Sequence, residues 1–239
     1  MIIDAKKLGF AELNEKIRST DDDCTITGCC GQRFIGAGMS NKKISVSGIP
    51  GNALGAYLNG AIIEVSDNAQ DAVGDTMNAG KIIVHGGIGD APGYAMRGGE
   101  IFVNGNAGYR AGIHMKAYRE KKPILVIGGR TGSFLGEYQA GGLIIVLGLN
   151  DDGKSIVGNF PCTGMHGGKI FLRSKCEDIK FPSQVSAALA SSDDKEEIKM
   201  YIEEFCEYFG YNSEELLKDD FTVVTPDSKN PYKQMYVAN

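Results

Sequence analysis

Residues 148–155 read GLNDDGKS and match G-x-x-x-x-G-K-[ST], the loop whose backbone amides cradle phosphates, at every fixed position. The apolar run Leu143-Ile144-Ile145-Val146-Leu147 precedes the string, as a strand should precede such a loop. That chemistry also needs a helix directly afterwards, because helix N-terminal amides and the helix dipole hold the anion. Here Ile156-Val157-Gly158-Asn159-Phe160-Pro161 follows, and its glycine and proline oppose a helix. Asp151 and Asp152 would also face the phosphates. The expectation is a surface loop rather than a nucleotide site.

Other reactive residues are equally dispersed. His85, His114 and His166 share no common slot, so no metal triad can be read. The cysteines are Cys24, Cys29, Cys30, Cys162, Cys176 and Cys206, with no C-x-x-C spacing for zinc and no cluster for an iron–sulfur centre. The dinucleotide fingerprint G-x-G-x-x-G is absent. Asp71, Glu137 and His114 could in principle move protons, but corner hydrogen bonding suits them better. No catalytic, cofactor-binding or metal residue is expected in this chain.

The 239 residues carry a net charge of −5, which lacks the basic footprint of a nucleic-acid binder. No apolar run approaches the roughly 20 residues that span a bilayer, and the opening Met-Ile-Ile-Asp-Ala-Lys-Lys lacks a signal-peptide core. A cytoplasmic location is expected. Glycine, at 33 residues, is about twice its usual share.

Those glycines recur. Gly36, Gly55, Gly74, Gly93 and Gly112 stand 19 residues apart. Three residues after each comes Met39, Leu58, Met77, Met96 or Met115; eight after come Ile44, Ile63, Ile82 and Ile101; ten after come Val46, Val65, Val84 and Val103. Gly136 continues the series after a five-residue insertion around residues 116–122, and Cys162 takes the glycine slot after a further insertion of seven. A unit this short holds one strand and a tight return, with no room for a useful helix. The expected fold is an all-β right-handed parallel β-helix of about seven coils over residues 24–175. Its corner glycines would be Gly36, Gly55, Gly74, Gly93, Gly112 and Gly136.

An open β-helix end needs a cap. Residues 1–23 are expected to supply one, with a helix over 4–18 placing Leu8, Ala11, Leu13 and Ile17 on one side. Residues 176–239 supply the other: a helix begun by Asp193 and Glu196 as a capping box, with Ile198, Ile202, Phe205 and Phe209 at helical spacing and Gly210 as its stop. A short helix over 213–218 and a strand over 221–225 follow.

Two outward ladders are candidate surfaces. Four residues after the leading glycine the slot runs Ser40, Asn59, Asn78, Arg97, Lys116, Ala140, His166, turning basic along the rod. Like charges about 5 Å apart repel unless an anion or acidic partner covers them, so Arg97, Lys116 and His166, with Arg110 nearby, are candidate partner or anion contacts. Nine residues after the glycine stand Ile83, Phe102, Val126, Ile145 and Phe171, an apolar stripe that needs a cover. The chain's own helix after residue 193 is the favoured cover and a partner the alternative.

The strings GNALGAYLNGAIIEV, NAQDAVGDTMNAGKIIVHG, GDAPGYAMRGGEIFVNG, GYRAGIHMKAY, GEYQAGGLIIVLG and GMHGGKIFLR, with the tail NPYKQMYVAN, resemble the GXGXG β-helix domain that closes the large subunit of glutamate synthase. The likeness is closest to the stand-alone form, domain 3 of the alpha subunit, and runs through essentially the whole chain. The resemblance implies a non-catalytic subunit of an oxidoreductase complex that makes two glutamates from glutamine and 2-oxoglutarate. It implies a glutaminase partner with an N-terminal cysteine, which Met-Ile-Ile-Asp does not offer here. It also implies a second partner that holds FMN and an iron–sulfur cluster, with ammonia passing between the two. The β-helix subunit of formylmethanofuran dehydrogenase shares the repeat and is the runner-up. Self-association stays open.

Overall fold

The computed structural model describes residues 1–149 and 153–227. Asn150, Asp151 and Asp152 of the phosphate-loop string, and the tail from residue 228, lie outside the described residues.

Eight strands stack in parallel: β2 (Cys24–Cys30), β3 (Lys43–Ile49), β4 (Asn59–Val65), β5 (Ala79–Val84), β6 (Glu100–Val103), β7 (Ile124–Ile127), β8 (Ala140–Val146) and β9 (Gly167–Leu172). Each of the seven glycine-led units ends in one strand, and β2 precedes the first glycine, so the solenoid has about eight turns. The pairing register runs Ile44, Ile63, Ile82, Ile101, Leu125, Ile144, Ile170, so the isoleucine slot is one vertical column. Every member of it is fully buried. The methionine slot is a second interior column, interrupted once by buried Gln139. Its Nε2 donates to the carbonyls of Gly141 (3.2 Å) and Gly142 (3.3 Å). With strands about 4.8 Å apart, the eight rungs span roughly 34 Å.

The corner has a simple steric logic. Each leading glycine sits at φ between +64° and +71°, and those from Gly55 onward donate their N–H to a carbonyl one coil earlier, as Gly74 does to Leu54 (2.8 Å). Its missing side chain faces inward. A Cβ on Gly74 would stand 2.4 Å from Cδ1 of Ile101, the isoleucine of the next coil. Cys162 holds the same backbone shape (φ 63°) with a side chain, because β9 is the last coil and no isoleucine stacks over it.

Both ends are capped. β1 (Ile2–Asp4) pairs in parallel with β2, and helix α1 (Phe10–Arg18) buries Leu13, Asn14 and Ile17. The helix is therefore shorter than the sequence pattern implied. Residues 2–4 alternate and add a rung, Gly9 is the N-cap, and Ala11 is exposed. Lys42 Nζ donates to the carbonyls of Ile17 (2.7 Å) and Thr20, neutralising the negative end of α1. At the far end β10 (Val185–Leu189), α2 (Ser192–Phe209), α3 (Ser213–Lys218) and β11 (Thr222–Pro226) follow. β11 inserts antiparallel between β9 and β10 and closes the sheet. The capping box of α2 is Ser191 with Asp194, two residues before the expected pair, because the serine hydroxyl accepts the Asp194 N–H at 3.2 Å. Gly210, at φ 77°, ends the helix.

α2 lies along the outer face of the sheet. Phe102, Val126, Ile145 and Phe171 are fully buried and share a second core with Ile198, Ile202 and Phe205 of the helix; Ile83 is also buried. At about 1.5 Å per residue the helix is roughly 27 Å long, enough to cross the five rungs from β5 to β9. Lysines fasten it: Lys81 to Glu204, Lys122 to Glu197 (2.7 Å), and Lys169 to Glu197 (2.8 Å) and Asp194 (3.2 Å).

These pairs set a pH window. Burial works to raise the pKa of Glu197, but Lys122 and Lys169 outweigh it and hold the carboxyl below its usual range. The hydrogen bond from Ser191, then Lys169, lowers Asp194, and Glu197 raises Lys169. Depressed carboxyls contribute stability above the unfolded pKa and lose it as pH falls through the folded one. The raised lysine contributes below its ordinary pKa and fades as pH climbs past it. Glu197→Gln is expected to lower urea stability by about 1 kcal/mol at pH 7, and by nothing near pH 2. An equal deficit at both pH values, read by circular dichroism, would sink this account.

Candidate functional site

One face of the solenoid is taken by α2, and the corner that bears the leading glycines carries exposed side chains. Two columns flank the leading glycine, two residues before it and two after. Both adopt left-handed backbone, at Ala53 and Tyr57, Ala91 and Ala95, Arg110 and His114, for example, with φ between 50° and 62°. Their N–H groups bond forward to the next coil, as Tyr57 does to Asp75 (2.7 Å), while the glycine bonds backward. A left-handed residue costs an L-amino acid roughly 1–2 kcal/mol. Bonding to both neighbouring coils offsets that cost, and outward-pointing side chains avoid the collision that bars them from the central slot.

Along the later coils rings at and beside these positions stack on one another. Tyr94 meets His114 edge-on (6.0 Å between ring centroids), and His114 stacks flat on Tyr138 at 5.2 Å. Beside them, Arg110 lies over Phe134 (5.1 Å), and Phe134 packs on Phe160 at 5.4 Å. Arg110 Nε also donates to Glu137 Oε2 at 3.0 Å, tying the two stacks together. Tyr138 lies over the bare backbone of Gly164, where a Cβ would be 2.4 Å from the ring.

The four candidate contact residues do not form one cluster. Arg97 and Lys116 are exposed on adjacent coils and make no ion pair among the described residues; Lys116 N–H donates to the Met96 carbonyl at 2.9 Å. Arg110 stands in a different column with its charge taken by Glu137. His166 is half-buried, its Nδ1 3.0 Å from the Gly164 carbonyl oxygen. The insertion after Lys116 folds back over Gly98, where a Cβ would lie 3.0 Å from Lys121 Cβ, bringing Lys121 beside the residue that follows Arg97. The ring stacks were missed in the sequence, although Arg110, Phe134 and Phe160 share one slot of the repeat.

A cleft of about 710 Å³ opens beside the rings, lined by Tyr109, Phe160, Ser133 and Asn159 of the corner and by Arg130, Lys154 and Lys180. Lys154 and Ser155 are the last residues of the GLNDDGKS string. No helix follows them. Ladder bonding resumes where Ile156 accepts from the Thr131 N–H (3.1 Å), and Gly148 donates to Gly129 (3.0 Å) in the column of Gly86 and Gly105. The described residues of the string, Gly148, Leu149 and 153–155, lie in no helix or strand and stand at one corner of the solenoid.

Among the described residues no three His, Cys, Asp or Glu side chains are placed to hold a metal ion. Burial raises the thiol pKa of Cys29 to about 11, and of Cys162 to about 12, with Cys176 adding to the latter. Such thiols are packing groups rather than nucleophiles. No helix among the described residues is long and apolar enough to cross a membrane.

Comparison with known proteins agrees with this architecture. The Uncharacterized protein MJ1350 of Methanocaldococcus jannaschii is 44% identical over 253 aligned residues, covering all of this chain and 97% of that protein. A chain in the crystal structure of the formyltransferase/hydrolase complex from Methylorubrum extorquens, in complex with methylofuran, superposes with a TM-score of 0.62 at 19% identity. That match covers 84% of this chain and 71% of the other, and it is a likeness of fold. The model of the GXGXG motif family matches residues 10–228. The chain belongs to that GXGXG family, the family of the β-helix domain that closes the glutamate synthase large subunit.

Proposed function

We propose that this chain is the non-catalytic assembly subunit of a split glutamate synthase. It would hold a glutaminase subunit and an FMN- and iron–sulfur-containing synthase subunit together so that ammonia from glutamine reaches 2-oxoglutarate. The observation that carries this reading is the family match over residues 10–228. The β-helix and the elements that cap it take up nearly all of the chain. A rigid rod roughly 34 Å long suits the task of fixing two catalytic bodies at a set distance. Its own chemistry is the backbone ladder and the two cores; the redox groups belong to the partner.

The test is reconstitution. Mixed at micromolar concentration with the glutaminase and FMN-containing subunits of the same genome, the chain is expected to co-elute with both. Glutamine-dependent glutamate formation is expected to fall at least tenfold when it is left out. Failure to co-elute with either subunit overturns the assignment. A second reading, a subunit of a complex of the formylmethanofuran dehydrogenase type, is favoured by the fold likeness to the formyltransferase/hydrolase complex chain. Co-elution with subunits of that kind instead would select it.

A further inference from the structure

We propose that the ring-bearing corner of the later coils is the docking face for a different protein subunit, one with an apolar centre and an Asp/Glu rim. This assignment rests on the assembly reading above.

The turn itself does not ask for rings. Ala53, Ala72 and Ala91 occupy one outward column, and Ala95 the other, with the same left-handed backbone. The same columns carry Phe34 and Tyr57 in the first two coils, and in the later ones Phe134, Phe160, His114 and Tyr138, where the rings stack on neighbouring coils. Phe160 (65%) and Tyr138 (42%) remain exposed, as do the nearby rings of Tyr109 (54%) and Tyr94 (40%). Aromatic side chains bury about 150–250 Å² each, so the half-open rings leave roughly 400 Å² for a partner. That is about half of what one side of a standard interface covers, the share expected of an apolar centre. The stacks are also ordered in advance, by ring contact and by the Arg110–Glu137 bridge, so little side-chain entropy remains to be lost on binding.

Charge selects the occupant. Arg130, Lys154 and Lys180 line the cleft beside Tyr109 and Phe160, and exposed Arg97 and Lys116 follow Tyr94 and His114 closely in sequence, in a chain whose net charge is −5. In a two-fold contact between copies this patch would meet itself, setting cations against cations. A head-to-tail contact with an acidic face of another copy would build a ring or a filament of copies rather than a two-fold dimer. A distinct subunit with acidic residues around an apolar centre satisfies both the rings and the cations.

The experiment measures binding of the whole chain to the glutaminase and FMN-containing subunits, separately, by calorimetry. Tyr138→Ala with Phe160→Ala keeps the turn, since alanine already stands in both columns, and circular dichroism checks the fold. Affinity for one of the two subunits is expected to fall about 30-fold or more, as loss of central aromatic anchors does. Arg97→Glu with Lys116→Glu is expected to slow association about tenfold at low salt and less at high salt. Met200→Ala with Glu203→Ala, on the solvent side of α2, is expected to change nothing. If the wild type binds while the ring variant binds within twofold of it, the face is wrongly assigned. It is wrongly assigned too if the α2 variant weakens as much as the ring variant. If the wild type binds neither subunit, the assembly reading falls and this assignment with it.

Discussion

Gly80→Ala is expected to leave little folded protein, whereas Gly93→Ala should cost only about 1–2 kcal/mol. Both glycines belong to the same repeat and both have positive φ, +100° and +68°. They differ in what stands opposite. A Cβ on Gly80 would lie 2.2 Å from the Ala61 carbonyl oxygen. That oxygen is backbone, held by the stacking of neighbouring coils, and cannot withdraw without opening the ladder. A Cβ on Gly93 would find nothing nearer than Met96 sulfur at 3.7 Å, because the next coil offers Leu125 instead of an isoleucine. Its cost is therefore the left-handed backbone alone. Gly74→Ala should fall between the two, since Ile101 Cδ1 at 2.4 Å is a side-chain end that can turn aside. Soluble yield and the urea midpoint rank the three. A Gly80 variant as stable as the Gly93 variant would remove the carbonyl contact as the reason for that glycine.

The same contrast shows what the sequence could and could not disclose. A 19-residue period is a statement about stacking, and it locates the isoleucine, valine and methionine columns without any knowledge of a partner segment. Gly80 belongs to a second glycine column, with Gly99, Gly142 and Gly168, that went unread. These glycines lie two residues before the buried isoleucine or its equivalent and mark the bulge where the chain enters the strand. The register shift between β4 and β5 and that between β8 and β9 fall there. Doublets such as Gly98-Gly99 and Gly167-Gly168 carried the signal, hidden by the general abundance of glycine. β10 escaped because Val-Ser-Ala-Ala-Leu has little strand preference, and only pairing with β11 extends it. The ring stacks escaped for another reason: a slot's identity follows from period, but whether its side chains point outward depends on the handedness of the backbone at that residue. Tyrosine and alanine read alike until the left-handed corner is known.

Phe205→Ala is expected to cost about 3–5 kcal/mol, the usual range for deleting a buried aromatic ring. Phe205 is fully buried, packs on Phe209 (4.8 Å) and Tyr211 (5.7 Å), and seats its Cζ over Gly128, where an added Cβ would be only 2.8 Å away. Gly128 has no side chain, so no neighbouring side chain there can collapse into the void. The lysine pairs that also hold α2 sit at a partly exposed rim, and such pairs contribute about 0.5–1 kcal/mol each. Apolar contact therefore outweighs charge in keeping the helix on the sheet, and one ring is worth as much as all the pairs together. Loosening α2 would uncover Phe102, Val126, Ile145 and Phe171, a stripe large enough to drive association between chains. The Phe205 variant should accordingly bind a hydrophobic dye and self-associate well below its unfolding midpoint in urea, while Glu204→Gln should do neither. If the charge variant aggregates and the ring variant does not, electrostatics rather than burial fastens the helix, and the apolar stripe has some other cover.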